Sequence, residues 1–430
     1  MGALRDKLKE QIPQLRKQRE EIIKASGDRV ISEVKIAQLF GGLRGVCGLV
    51  CDTSVVDPDQ GLIIRGKPIA ELAARLPEEI FFLLTTGELP NKSQLESLQS
   101  ELRARAEVPD YIWRILRAMP PDAHPMAMFS AAIVTLERES VFRRRYAEGM
   151  HKDEYWEATL EDSLALLGKL PAIAAAIYRL HTGKSRFLPS NPKLDWGADF
   201  AQMLGLPDAT GEFANLIRLY LTLHCDHEGG NVSAFTCHTV GSALSDAYYA
   251  VSAGLNGLAG PLHGLANQES LHFVLEIRKK FGGVPTDAQL SEFLWGRLKE
   301  GFVIPGYGHA VLRVTDPRFT AFHAFGERAA KTEEMFRIAD RIFALTPGIL
   351  KQHGHVKDPW PNVDAISGSL LYHYDLKEFD YYTVLFGVSR ALGMSAQLIL
   401  NRAVGTPLFR PKSVSTRWVL GQVSAPSQAA

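Results

Sequence analysis

Apolar residues recur at helical spacing along most of this chain, and period-two alternation is nearly absent. Leu95, Leu98 and Leu102 fall at i, i+3 and i+7, one stripe of a helix. Pro77-Glu78-Glu79 opens the apolar run 80–84, and Gly87 then Pro90 close it, a start with proline and acids and a stop with glycine. The same reasoning predicts helices over 110–118, 125–136, 154–180, 209–224 and 287–299. Only 54–57 and 62–65, bracketed by glycines, read as strands. No dinucleotide-type strand–glycine–helix unit and no Walker A loop is present. The expected fold is mainly α, with very little β structure.

Charge narrows the function classes. Lys+Arg 48 against Asp+Glu 48 gives a formal net charge of +0 over 430 residues. That balance offers no excess of cations for phosphate neutralisation, so a nucleic-acid partner is not expected. An anion site must then be a local cluster of arginines. Four cysteines make no disulfide framework in a chain of this length, which favours a reducing compartment. The first 24 residues carry both signs of charge, unlike a transit peptide or a secretory signal. The longest uncharged run, 247–268, is interrupted by Gly254, Gly257, Gly260, Pro261 and Gly264, so no membrane insertion is expected.

Between Gly229 and Gln268 the composition shifts to Gly, Ala and Ser, which lets helix backbones approach closely. This region is expected to be a buried core or a subunit interface. Charges return just after His263, and a Pro-rich loop follows at 354–362. A smaller domain inserted into a larger one accounts for both changes. The expected division is 1–263, 264–370 and 371–430.

Several clusters carry groups able to do chemistry. His224, Cys225, His227, Cys237 and His238 offer imidazole and thiolate, but without a paired-cysteine or HExxH spacing no metal site is expected. If the helix continued that far, His224 and His227 would share one face. His263 follows two glycines and a proline, where a helix can begin. The positive end of a helix there would keep its imidazole neutral and able to donate to a developing oxyanion. Pro305 to Arg313 places a flexible backbone next to His309 and Arg313, with Arg318 close behind, a combination suited to anions. Taken singly, the arginines read as solvated surface residues and Asp364 as a helix N-cap.

In order, the strings GGLRG (41–45), DHEGGN (226–231), GLAGPLHGLANQE (257–269), PGYGHAVLR (305–313), TDPR (315–318), NVD (362–364) and RPKS (410–413) resemble citrate synthases of the eukaryotic, mitochondrial type. The resemblance runs over nearly the whole chain. Phe235 stands where that family commonly has histidine, and Thr416-Arg417-Trp418 departs from its usual ending.

The resemblance implies a large helical domain with a smaller one closing over the substrate. It implies condensation of acetyl-CoA with oxaloacetate and hydrolysis of the citryl thioester. It makes Asp364 the base, His263 the neutral donor to the thioester oxygen, and His309 the group polarising the ketone. His227, Arg318, Arg390 and Arg410 correspond to oxaloacetate ligands. Arg44, Val303, Ile304, Pro305, Gly306, Tyr307, Gly308 and Arg313 correspond to CoA contacts. Coenzyme A thioester is a substrate here, and no separate cofactor is implied. Arg410 would reach the site of a second subunit, which implies a homodimer with shared active sites. The compartment implied is the mitochondrial matrix. A 2-methylcitrate synthase using propionyl-CoA fits the same residues, and a metal-binding helical protein is the distant alternative.

Overall fold

The computed structural model describes residues 2–308, 311–356 and 358–424. It is 63% helical and 3% strand, the mainly α architecture expected. Helix ends follow local chemistry. The helix Pro77–Thr86 begins on its proline and stops at Gly87. Lys92–Ala104 is opened by the Asn91 side chain accepting from Gln94 N–H, with Gln94 bonding back. Asp110–Ala118 and Asp287–Lys299 form over the residues predicted.

Two long helices run through the centre, Tyr155–His181 and Tyr382–Ala403. Both contain windows apolar enough to span a bilayer, yet those windows are 78% and 89% buried inside the protein. They are core helices. The charged N-terminal stretch forms Ala3–Ser26, which buries Leu4, Leu8 and Ile12.

The small-residue region forms two helices, Val232–Ser242 and Ala247–Leu258, packed on each other. Gly254 shows why the composition matters: a Cβ there would lie 2.8 Å from the Ser233 carbonyl oxygen. Replacing hydrogen by methyl would force the backbones apart.

The sheet has three antiparallel strands in the order β1-β2-β3: β1 (Ser54–Asp57), β2 (Gly61–Ile64) and β3 (Lys67–Pro68). Ser54 pairs with Ile64 and Val56 with Leu62. Arg65 was expected in β2 but turns out of it at φ +48. The two-residue β3 is too short to show periodicity.

Five helices between 266 and 373 pack largely on one another: Ala266–Phe281, Asp287–Lys299, Pro317–Ala329, Glu334–His353 and Asp364–His373. The Pro317 and Asp364 helices also touch Glu212–Leu223 in the rest of the chain. That last helix corrects one expectation. It stops at Leu223, with His224 in the cap position, so His224 and His227 share no helical face.

Candidate active site

The N-terminus of the Val232 helix is where several of the singled-out residues meet. Asn231 caps it, its Oδ1 accepting from Ala234 N–H at 3.1 Å and from the Ser233 hydroxyl at 2.8 Å. The next N–H, that of Ser233, donates to His263 Nε2 at 3.3 Å, and Ser233 Oγ lies 2.9 Å from the same nitrogen. A backbone N–H only donates, so Nε2 is an acceptor and the ring proton belongs on Nδ1. Burial, then the nearby Arg390 charge, push the His263 pKa down to about 4. The imidazole is therefore neutral at pH 7 with its donor on Nδ1.

The expectation placed His263 at its own helix start. Instead it lies in the turn 261–264, and the following helix begins at Ala266. The N-terminus of the Val232 helix supplies the N–H that fixes the His263 tautomer, while burial and Arg390 keep the ring neutral.

Two guanidiniums lie in the interior, against the surface position a lone arginine usually takes: Arg318 is 5% and Arg390 2% exposed. Arg390, on the Tyr382 helix, donates from Nε to the His224 carbonyl at 3.1 Å and from Nη1 to Asn231 Oδ1 at 3.2 Å. Its plane lies 4.8 Å from the centre of the Phe386 ring. Burial pulls its pKa down to about 10, with Asp226 opposing and Arg318 adding to the fall. Arg318 is the second residue of the Pro317 helix and is held by the Asp316 carboxylate at 2.7 Å. Burial works against its charge, but Asp316 outweighs it and the pKa rises.

Asp364 is the first residue of its helix rather than the cap. Its N–H donates to Asn362 Oδ1 at 3.0 Å, while among the described residues its carboxylate takes no hydrogen bond. Burial pushes its pKa up to about 6, Arg318 pulling it back and Asp316 adding to the rise. Arg318 thus couples electrostatically to Asp364 on one side and to Arg390 on the other, and Arg390 to His263. Asn267, at the start of the Ala266 helix, donates to Ser367 at 2.9 Å and ties that helix to the Asp364 helix.

The 303–308 loop lies directly against the Asp364 loop. Tyr307 pairs with Pro361, Asn362 N–H donates to the Gly306 carbonyl at 2.9 Å, and Gly308 N–H to the Trp360 carbonyl at 3.3 Å. Val303 is exposed, Ile304 buried, and Pro305 to Gly308 half-buried. Gly306 has φ +80, and a Cβ on it would lie 2.7 Å from Ala365 Cα. Gly306→Ala is therefore expected to push the loop off the Asp364 helix and lower kcat/KM by at least about tenfold, strain and steric cost acting together. Steady-state kinetics checks this; wild-type kinetics would remove the loop contact from the account.

His309 lies outside the described residues. His227 is half-buried in the irregular segment after the Glu212 helix. Arg44, Arg313 and Arg410 are exposed. Among the described residues no hydrogen bond, ion pair or ring contact joins Arg44 or Arg410 to the group around Arg390. Phe235 packs edge-on against Phe409, 5.2 Å between ring centres, next to Arg410.

The candidate metal ligands take separate partners. His224 Nδ1 meets the Tyr220 carbonyl at 3.0 Å, and His238 Nδ1 meets Asn401 at 2.9 Å. Burial pushes the Cys225 and Cys237 thiols up, Cys237 to about 12, so neither is disposed to the thiolate a metal requires. Sequence reasoning missed Asn231, Ser233, Asp316 and Phe386. The first and third had a signal: Asn before a helical run, and Asp before a proline at the first helical position.

The family model described as "Citrate synthase, C-terminal domain" matches residues 42–412. The mitochondrial citrate synthase of Saccharomyces cerevisiae is 48% identical over 423 residues, covering 96% of this chain and 88% of that protein. The crystal structure of citrate synthase from Pyrobaculum aerophilum superposes with a TM-score of 0.77 at 30% identity, covering 91% of this chain and 93% of that one. The Thermoplasma acidophilum citrate synthase, solved as a ternary complex with carboxymethyl coenzyme A and oxaloacetate, shares the fold with a TM-score of 0.75 at 21% identity. That match covers 93% of this chain and 98% of that one.

Proposed function

The chain belongs to the citrate synthase family, and we propose how its residues divide the work of that family's reaction. The enzyme condenses acetyl-CoA with oxaloacetate and hydrolyses the citryl thioester to citrate and CoA. The methyl hydrogens of a thioester are weakly acidic, so a base and a stabilised enol oxygen are needed together. Asp364 takes the methyl proton, and the Nδ1–H of His263 donates to the thioester oxygen as charge develops on it. The methyl carbon then bonds to the ketone carbon of oxaloacetate, and the new alkoxide takes a proton from His309. Water cleaves the thioester and releases CoA thiol. Arg318, Arg390 and His227 hold the keto-diacid, with Arg410 arriving from a second subunit. The backbone 303–308, Arg44 and Arg313 hold the coenzyme.

One observation carries this reading: a neutral imidazole with its free N–H on Nδ1 and a half-buried carboxylate of raised pKa flank the same pair of interior arginines. It predicts a pH profile. Asp364 works only when ionised, so with oxaloacetate saturating, kcat/KM for acetyl-CoA rises with pH through a single-proton limb near 6. His263 adds no second limb there, because it protonates only near 4. A two-proton limb around 6.5 would contradict the neutral histidine.

Release of free thiol that depends on oxaloacetate, compared for acetyl-CoA and propionyl-CoA at equal concentration, tests the substrate. Acetyl-CoA is expected to be preferred. A preference for propionyl-CoA would move the assignment to 2-methylcitrate, and release without oxaloacetate would refute the reaction. One methylene in an apolar pocket discriminates by about 1–3 kcal/mol, enough to read.

We also assign the protein to the mitochondrion, in its matrix, by kinship with the Saccharomyces enzyme. The mutual packing of the five helices between 266 and 373 supports a small domain over 264–370 and a large one from 1–263 with 371–430. Exposed apolar side chains at Val30, Ile31, Phe40, Val50, Trp418 and Leu420 support a homodimer that covers them. Light scattering should give twice the chain mass; a fully active monomer would refute the sharing of Arg410.

A further inference from the structure

Strand β1 is clasped to the irregular segment that carries His227, and we propose that Ser54 is a positioning residue for that histidine. The inference rests on the reading of His227 as an oxaloacetate ligand. Residues 225–230 belong to no helix or strand, so no repeating backbone pattern fixes the conformation at His227. Side chains do it instead. The Ser54 hydroxyl donates to Asp226 Oδ2 at 2.8 Å and accepts from Glu228 N–H at 2.8 Å, so one oxygen holds the residue before His227 and the residue after it.

Each neighbour is tied down a second time. Asp226, fully buried, also accepts from Thr53 Oγ1 at 2.5 Å and from Gln397 Nε2 at 2.8 Å. Glu228 Oε1 accepts from Val56 N–H at 2.8 Å, and Glu228 is held at φ +62, a left-handed conformation a glutamate adopts only when its surroundings impose it. Asn231, which also holds Arg390, donates to the His227 carbonyl at 2.8 Å. With the backbone on both sides of His227 fixed in this way, a substrate that bonds to the half-buried imidazole spends less on ordering it. Ser54 touches no substrate in this scheme and acts only through His227.

The test is steady-state kinetics on the full-length enzyme carrying Ser54→Ala, His227→Gln, and both. Ser54→Ala should raise KM for oxaloacetate about tenfold, the factor one hydrogen bond of ordinary net strength represents. KM for acetyl-CoA at saturating oxaloacetate should stay within about twofold, a split that general destabilisation does not produce. In the His227→Gln background, Ser54→Ala should add nothing further to KM for oxaloacetate. An unchanged KM in Ser54→Ala beside a raised one in His227→Gln would overturn the clasp alone. Full multiplication of the two effects would do the same. An unchanged KM in His227→Gln would instead overturn the reading of His227 on which the clasp rests.

Discussion

Asp364→Asn is expected to lose release of CoA thiol by about 10²–10⁴-fold, the range a positioned general base supplies, while becoming more stable than the parent. The two effects have one origin. Burial pushes the Asp364 carboxyl up to about 6, with Arg318 only partly compensating, so the folded chain prefers the protonated form. A group raised in this way favours the fold below its unfolded pKa near 3.8 and loses that contribution as pH rises through 6. At pH 8 the ionised carboxylate is therefore a cost to the fold, and a neutral amide of the same shape removes it. Thermal unfolding at pH 8 should shift to higher temperature, and oxaloacetate should still protect the variant against heat. Retained turnover would take the base role from Asp364. A loss of both turnover and stability would mean that the residue is structural.

Arg390→Lys keeps the charge and removes the fork, and it should lower kcat/KM for oxaloacetate by about 10- to 100-fold. Three bonds orient the guanidinium from the protein side, to the His224 carbonyl, Asn231 Oδ1 and Ser233 Oγ, and Phe386 supports its face. An ammonium on a flexible stem cannot hold these and present paired donors to a carboxylate as well. A hydrogen bond to a charged group is worth about 1.5–3 kcal/mol, which sets the factor. The effect should fall on oxaloacetate far more than on acetyl-CoA. Kinetics with each substrate varied in turn checks it, and equal losses for both would contradict the assignment of Arg390 to the keto-diacid.

Local chemistry in the sequence was enough to mark several helices. Pro77 and Gly87 bound one, and the predicted 110–118 and 287–299 helices form over those residues, because caps and periodicity act over a few positions. Resemblance supplied the chemistry-bearing set, and the structure links four of its members in a chain of electrostatic couplings, Asp364 to Arg318, Arg318 to Arg390 and Arg390 to His263. Arg44 and Arg410 remain exposed on the single chain.

What sequence could not show depends on distant partners. The expected neutrality of His263 rested on a helix end, whereas burial and the Arg390 charge lower its pKa, and the N–H that fixes its tautomer comes from Ser233, thirty positions earlier. The predicted helix 209–224 ends one residue from the observed end at Leu223, but the turn that brings the His224 carbonyl to Arg390 depends on a partner far along the chain. Gly306 signals flexibility in sequence, whereas its Cβ position shows that it is needed for contact with Ala365. Ser54 and Asp226 carry no local pattern, because a hydroxyl and a carboxylate that meet across the fold leave no periodic trace.

The most direct measurement is a crystal structure of this enzyme with oxaloacetate and a non-reactive CoA thioester analogue bound. Oxaloacetate carboxylates are expected on Arg318 and Arg390, the thioester oxygen about 3 Å from His263 Nδ1, and the Asp364 carboxylate facing the carbon that loses its proton. Oxaloacetate bound away from both arginines, or a thioester oxygen directed away from His263, would contradict these assignments.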